Sequence, residues 1–213
     1  LEDVDHALRP GVQALGFHVL RWLGRAEALR QQLAKRPPPP EADALLCVAL
    51  ALACPDGASD SAAAAGSGQA DGPAYTAYTL VDQTVEAAKR SDSTLHQASF
   101  INGCLRRFLR ERDALMALTA KSPQAVWNHP QWWIDRVRKD HPMSWQAILQ
   151  ANNSRAPLIL RVNARKTTQA QYLLALAAID IVASPVGEQG VILARAQAVP
   201  SLPGFAEGHF SVQ

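Results

Sequence analysis

Residues 98–112 read ASFINGCLRRFLRER and form the most informative segment of the chain. At about 3.6 residues per turn, its large apolar side chains fall on one wide face of a helix. That face carries Phe100, Ile101, Cys104, Leu105, Phe108 and Leu109. The opposite face carries Arg106, Arg107 and Arg110, with Gly103 between them. The pattern predicts a helix that packs into a core on one side and presents a compact group of guanidinium groups on the other.

Two interpretations of this polar face stay open on the residues alone. A surface helix with solvated arginines is the simpler one. The other is an anion-binding helix, because the forked donors of a guanidinium group match the oxygens of a phosphate. Gly103 costs about 1 kcal/mol relative to alanine in a helix interior. That cost makes sense if a partner approaches the helix backbone closely between the arginines.

Composition allows a folded core and limits the kinds of partner. The chain has 213 residues, of which 48% are hydrophobic, enough for one large or two small domains. The formal net charge is only +2, so a nucleic-acid role requires positive charge gathered on one face. No apolar run of about 18 residues and no signal peptide is present, which predicts a cytoplasmic protein without a membrane partner.

The sequence contains no recognisable catalytic, cofactor-binding or metal-binding motif. Cys47, Cys54 and Cys104 have no CxxC spacing, so neither a disulfide framework nor a zinc site is predicted. The six histidines are scattered, with no HExxH pattern. No glycine-rich loop follows a predicted strand to hold a nucleotide. We therefore predict no catalytic residue, no cofactor and no metal within this chain.

Before residue 124 the periodicity predicts helices over 11–35, 42–54, 76–89 and 98–112. In the first helix the predicted inward stripe is Val12, Leu15, Gly16, Val19, Leu20 and Leu23. The second is apolar almost all round, which indicates a buried central helix. Between the second and third, residues 55–74 are mostly Ala, Gly, Ser and Asp. Such a composition predicts a flexible surface insertion.

Four of the five tryptophans fall within residues 127–145. A helix is predicted after Pro130, carrying Arg136, Arg138 and Lys139, and a short one from Ser144 to Ala151. Tryptophans interleaved with cations can stack on unpaired RNA bases. Tryptophans at helical spacing more often pack in a core, and packing is the interpretation favoured here.

Residues 157–213 predict a small mixed unit. Strands are expected at 158–163, 191–193 and 209–212, with a helix at 169–179. This β-α-β-β order fits an RRM-like or ferredoxin-like fold. The aromatic RNP motif of an RNA-recognition sheet is absent, so base stacking on this sheet is not expected.

Three segments in order resemble a known family. FINGCLRRFLRER (100–112), LGFHVLRWL (15–23) and VDQTVEAAKR (81–90) resemble the NusB-like helical domain of bacterial ribosomal RNA cytosine-C5 methyltransferases of the Sun/Fmu type. Residues 129–213 resemble the linker before the methyltransferase domain in that family. The resemblance implies a mainly α protein: a NusB-like bundle over 1–124, then a linker over 125–213, helical first and then small α/β. We expect the chain to be a fragment that ends where the family's catalytic domain begins.

The resemblance also implies a function, namely gripping 16S ribosomal RNA for a catalytic domain that uses S-adenosylmethionine. Whether the chain alone is an enzyme stays open; the family's catalytic cysteines lie beyond Gln213, so none is assigned to Cys104. The candidate RNA contacts are Arg106, Arg107, Arg110, Lys89, Arg90, Arg136, Arg138, Lys139, Arg155 and Arg161. The rival interpretations are a protein-interaction module and a scaffold that docks on its own catalytic domain.

Overall fold

The computed structural model describes residues 2, 4–54, 75–154 and 156–213. The predicted insertion at 55–74 and the candidate contact Arg155 lie outside these residues. Contacts within the chain divide the described part into two compact units. The first ends at Ser154, and the second runs from residue 156 to Gln213.

The first unit is helical throughout its described residues, as predicted. Its helices are α1 (Arg9–Leu33), α2 (Pro40–Leu52), α3 (Ala77–Lys89), α4 (Asp92–Leu95), α5 (Ala98–Arg110), α6 (Arg112–Thr119), α7 (Pro123–Trp127), α8 (Gln131–Asp140) and α9 (Trp145–Asn153). Prolines begin α2 and α7, where a missing N–H costs nothing. The Thr76 side chain caps α3 by accepting from the Thr79 N–H. Only α4, α6 and α7 have no counterpart among the predicted helices.

The core of this unit lies between α1, α2 and α5. Leu29, Leu46, Leu50, Ile101, Leu105 and Phe108 are all essentially inaccessible to solvent. The helix α2 is buried almost all round, which confirms its predicted central place. On α5 the predicted apolar face is buried at four positions, whereas Phe100 at its edge is 37% exposed and Leu109 is half-buried.

The predicted inward stripe of α1 is wrong in its first half. Val12, Leu15 and Leu20 are 42%, 37% and 63% exposed, and the buried residues of the helix are His18, Ala26 and Leu29. Gly16 is exposed as well, while Val19 and Leu23 are half-buried. The reason is the length of α2. The imidazole of His18 lies 3.0 Å from the carbonyl oxygen of Ala51, and α2 ends one residue later. The turns of α1 before His18 therefore extend past the helix that would have covered them, whereas Leu20, two residues after His18, lies on the opposite side of α1 from it.

Contacts group α7, α8 and α9 with the helical unit, and the division between the two units falls after Ser154. The physical reason is the packing of α7 on α1. Arg25 of α1 donates from its side chain to the carbonyl oxygen of Ala125 at 2.8 Å. Its backbone N–H donates to the side-chain oxygen of Asn128, also at 2.8 Å.

The second unit contains β1 (Ile159–Val162), α10 (Gln169–Ala177), β2 (Ala183–Val186), β3 (Gly190–Leu193) and β4 (Phe210–Val212). Its sheet is antiparallel, in the order β2-β3-β1-β4. Since β3 lies between β1 and β2, the strands around α10 form the split β-α-β arrangement of ferredoxin-like folds. A 3-10 helix, Val199–Ser201, lies in the connection from β3 to β4.

The strand β2 was not predicted. Its sequence, Ala-Ser-Pro-Val, has weak strand propensity and three exposed residues. It forms an edge of the sheet, the place where a strand tolerates a proline such as Pro185. The buried face of the sheet packs on Tyr172 and Leu176 of α10, and α10 begins with a complete capping box at Thr168 and Gln171. None of the described helices is long and apolar enough to cross a bilayer.

Candidate nucleic-acid interface

The three cations singled out by the sequence lie together on the exposed face of α5. Arg106, Arg107 and Arg110, here called the α5 arginines, are all exposed, while Ile101, Leu105 and Phe108 on the other side are 0–1% exposed. This geometry confirms that one side of the helix packs and the other faces solvent.

Two of the α5 arginines are held by neighbours four residues away along the helix. Arg106 donates through Nε to the side-chain oxygen of Asn102 at 3.2 Å. Arg107 donates through Nε to the carboxylate of Glu111 at 3.0 Å. Arg110 forms no hydrogen bond or ion pair with any described residue. Each contact uses only Nε, so the terminal N–H groups of all three guanidinium groups stay available to a ligand.

Gly103 lies on the same helix in open space. A Cβ added there would meet no described atom within 4 Å. Packing within the described part of the protein therefore does not explain a glycine at this position. The interpretation that an external partner approaches the backbone here stays a prediction.

Lys89 and Arg90 lie at the end of α3 and are separated from α5 by the short helix α4. Lys89 donates to Glu86 at 2.7 Å. This hydrogen bond and the opposite charge lower the pKa of Glu86 and raise the pKa of Lys89. The helix α3 packs against α5, but among the described residues no hydrogen bond joins this pair of cations to the α5 arginines.

The second predicted basic group lies on α8, and its three side chains differ in their contacts. Arg136 donates to Asp140 at 2.6 Å. The guanidinium group of Arg138 lies over the ring of Trp145, 5.6 Å from its centroid. Lys139 is exposed and pairs with no described residue. Arg138 is therefore engaged by packing, whereas Arg136 and Lys139 face solvent.

The favoured interpretation of the tryptophan cluster, packing, is confirmed for three of its four residues. Trp127, Trp133 and Trp145 pack around the buried residues Ile134, Val137 and Leu149. Trp127 and Trp145 meet edge to face with centroids 5.0 Å apart. For Trp132 the interpretation is wrong, since 68% of this residue is exposed.

Arg161 belongs to the second unit and lies on the exposed face of β1. Its Nε donates to the side-chain oxygen of Gln189 at 3.4 Å. It lines an open depression of about 430 Å³ together with Glu188, Gln189, Gly190 and Gln213. This residue and the α5 arginines lie in different units.

The sequence did not indicate a second depression, of about 300 Å³, in the helical unit. Its polar and aromatic lining includes Phe17, Arg21 and His129, together with Asn152 and Asn153. These side chains come from three separate parts of the chain. The packing of α7 on α1 and the hydrogen bond from Asn153 to the Trp127 carbonyl oxygen bring them together, and no local sequence pattern predicts these contacts.

The buried thiols are poor nucleophiles. Burial raises the pKa of Cys47 and of Cys54 to about 11, and burial also raises the pKa of Cys104. A thiol reacts through its thiolate, so none of the three is suited to covalent attack near neutral pH. Among the described residues, no group of three or more His, Cys, Asp or Glu side chains could hold a metal ion.

The chain joins a helical unit with an exposed arginine face to a ferredoxin-like sheet unit, and comparison with known proteins identifies the family. The family model described as "Methyltr_RsmF/B-like, ferredoxin-like domain" matches residues 129–200. Ribosomal RNA small subunit methyltransferase B of Pseudomonas putida is 33% identical over 218 residues, covering 100% of this chain and 46% of that protein. The protein of the same name from Vibrio cholerae is 32% identical over 211 residues, with 98% and 44% covered.

A probable ribosomal RNA small subunit methyltransferase B of Coxiella burnetii is 38% identical over 138 residues, covering 64% of this chain and 32% of that protein. The crystal structure of PH0851 shares the fold, with a TM-score of 0.61 at 16% identity, covering 99% of this chain and 46% of that one. The chain belongs to the ribosomal RNA small subunit methyltransferase B family and matches its N-terminal portion, including the ferredoxin-like domain. It spans less than half the length of these relatives.

The matched family model begins within the connection before α8 and continues past β3, ending before β4. It thus crosses the division after Ser154 that the contacts show. These two observations place the domain boundary differently, so the predicted boundary at 124/125 remains a prediction.

Proposed function

We propose that this chain binds 16S ribosomal RNA on behalf of a cytosine-C5 methyltransferase activity carried by the remaining portion of the family's proteins. The relatives are named as small-subunit ribosomal RNA methyltransferases, which supports ribosomal RNA as the partner. The observation that carries the proposal is the exposed α5 arginines on a helix whose other face packs into the core through Ile101, Leu105 and Phe108. The packed face fixes the helix, and the three cations are left to a ligand.

The chemistry of this face suits phosphate. A guanidinium group donates in a planar fork that matches two phosphate oxygens. Asn102 and Glu111 each hold one Nε of the α5 arginines, which limits the freedom of these long side chains before RNA arrives. The C-terminal end of α5 also favours cations through the helix dipole. The arginines are therefore favourably placed in the free protein. Binding of RNA would then require little rearrangement of α5.

The remaining candidate contacts extend the proposal and are individually testable. Lys89, Arg90, Arg136 and Lys139 are exposed cations of the helical unit. Arg161 is an exposed cation of the sheet unit. Arg138 contributes less directly, because it is engaged with Trp145, and Arg155 lies outside the described residues. Phosphate contacts of this kind fix the position of an RNA without reading its sequence.

S-adenosylmethionine, the cofactor expected for the full-length proteins, does not fit the described residues. A nucleotide-type cofactor is commonly held by a glycine-rich turn from a strand to a helix. Here the turn from β1 to α10, residues 163–168, contains no glycine. The depression beside Arg161 is open and lined by polar side chains. We therefore propose no catalytic residue in this chain.

The test is a polarisation titration of labelled 16S ribosomal RNA fragments at two salt concentrations. Phosphate contacts release counterions, so the affinity should fall steeply between about 50 and 200 mM salt. An affinity independent of salt, or no binding at the lower salt, would contradict the proposal. Gly103→Ala adds a second readout: it should leave the fold intact and weaken RNA binding if RNA approaches the backbone between the arginines.

One observation favours a second candidate function, a protein-docking module. Leu8, directly before α1, is 62% exposed, and Val12 and Leu15 in the first half of α1 are 42% and 37% exposed. A row of large apolar side chains in solvent is typical of a protein contact. The natural occupant in this family is the protein's own catalytic domain. Docking of that kind should depend weakly on salt, so a titration with the catalytic domain at the same two salt concentrations separates it from binding to phosphates.

A further inference from the structure

One tryptophan does not behave like the others. Trp132 is 68% exposed, whereas Trp22, Trp127, Trp133 and Trp145 are at least half-buried. A tryptophan carries the largest apolar area of any side chain, and its full burial is favourable. Trp132 stays exposed although the other face of its helix packs into a core. Its exposure therefore indicates a surface that binds a ligand.

The surroundings of this ring are specific. On α8, Trp132, Arg136 and Lys139 have the spacing i, i+4 and i+7, which places them on one face of the helix. At about 1.5 Å per residue, the two cations follow the ring along the axis by roughly 6 and 10 Å. The opposite face is fixed by the buried residues Ile134 and Val137.

Neighbouring groups hold both the ring and the first cation. Trp133 meets Trp132 edge to face with centroids 5.6 Å apart, which supports one side of the ring. Asp140 accepts from Arg136 at 2.6 Å, and Asp135 accepts from the side chain of Gln131 at 2.9 Å. The two carboxylates of this helix are thus engaged, while Lys139 has no described partner.

We infer that Trp132 is a stacking platform for an unpaired base of RNA, with Arg136 and Lys139 contacting the phosphates on one side of that base. This inference rests on the proposed function, and it adds a substrate class, single-stranded RNA, and a site separate from the α5 arginines. Stacking accepts any base, because every base has an aromatic face, and adjacent cations follow the backbone. An apolar protein partner would not require two cations in line with the ring.

The experiment compares two RNAs of equal charge, a labelled decamer of adenosine and the matching decamer of abasic ribose phosphates. The wild-type protein should bind the adenosine decamer about tenfold more tightly, since base–aromatic stacking accounts for that difference. Trp132→Ala should remove most of this preference, and Trp132→Phe should restore part of it. Lys139→Gln should weaken the binding of both RNAs and make the salt dependence of their affinities shallower.

Met143→Ala is the matched control, because this residue is 96% exposed and apolar in the same unit. It should leave both affinities unchanged, and thermal melts should show that the Trp132 variants stay folded. If Trp132→Ala keeps the wild-type preference while replacement of the α5 arginines still weakens RNA binding, the inference is overturned and the proposed function stands. A protein contact for Trp132 would give this result. If the wild-type protein binds neither RNA nor ribosomal RNA fragments at low salt, both are overturned.

Discussion

Gly24 of α1 lies directly against the backbone of Gln124 at the start of α7: a Cβ at Gly24 would overlap the Gln124 carbonyl oxygen. The next residue, Arg25, donates to Ala125 and to Asn128 at this contact. Asn128 ends α7 in the left-handed region, with φ of 51°. Through this close backbone contact, α7 packs on α1.

We predict that Gly24→Ala destabilises the protein by about 1–3 kcal/mol, because the added methyl group meets backbone that has to move. The gain in helix propensity, about 1 kcal/mol, offsets only part of this cost. Urea denaturation followed by circular dichroism measures the difference.

Gly103→Ala is the matched control for that substitution, since its Cβ meets no described atom. It should leave stability unchanged or raise it by up to about 1 kcal/mol. If both substitutions had the same effect, the close contact at Gly24 would not be what makes a glycine necessary there.

Phe108 and Leu105 anchor the α5 arginines by burying the other face of their helix. Each is 1% exposed. Phe108→Ala should cost about 3–5 kcal/mol and Leu105→Ala about 2–5 kcal/mol, through lost burial and the cavity left behind. Thermal melts would check this. Leu118→Ala, at a residue that is 49% exposed, should cost much less, and an equal loss would show that α5 does not carry the core.

The buried thiol of Cys54 predicts a pH dependence of stability. Burial raises its pKa from 9.0 to about 11, while in the unfolded chain the thiol ionises at its ordinary value. Between pH 9 and 11 the native state therefore holds a proton that the unfolded state has lost, so the free energy of unfolding falls as the pH rises. The contribution is complete below pH 9, and each thiol adds a slope of up to about 1.4 kcal/mol per pH unit.

Urea titrations at pH 8 and pH 10.5 measure this loss for the wild type and for Cys54→Ala. The variant should lose less stability between the two pH values, whatever packing it gives up at both. An equal loss in the two proteins would mean that the Cys54 thiol ionises normally in the native state.

Sequence patterns predicted the structure correctly where the apolar and charged faces both lie within a single helix. The apolar and arginine faces of residues 98–112 are both visible in the local pattern, and the structure confirms them. The first half of α1 has an equally clear stripe at Val12 and Leu15 that the structure leaves exposed. Periodicity shows that a face is apolar, but not whether a neighbouring helix is long enough to cover it.

The candidate site shows the same limit. Trp132 and Trp133 are adjacent in sequence, yet one is exposed and the other packs against Ile134. Helix phase distinguishes them only once the start of α8 and its neighbours are known. The depression near Phe17 and His129 depends entirely on the meeting of α1 and α7, which only the tertiary structure reveals. The edge strand β2 was missed because Pro185 and its neighbours lack a strand pattern.

The proposed function requires that the α5 arginines bind ribosomal RNA through its phosphates. The decisive variant changes all three to glutamine, and its matched control changes three exposed cations elsewhere in the helical unit to glutamine: Lys35, Arg36 and Lys121. Both variants lose the same net charge, and neither should lose more than about 0.5 kcal/mol of stability per site.

The measurement is the affinity for a 16S ribosomal RNA fragment as a function of salt, for the wild type and both variants. Each lost phosphate contact should lower the slope of log affinity against log salt by about 0.9 on a duplex, and somewhat less on single strands. We predict weaker binding and a markedly shallower slope for the α5 variant, with the control close to wild type. If the α5 variant bound with the affinity and salt slope of the wild type, this face would not be the RNA surface.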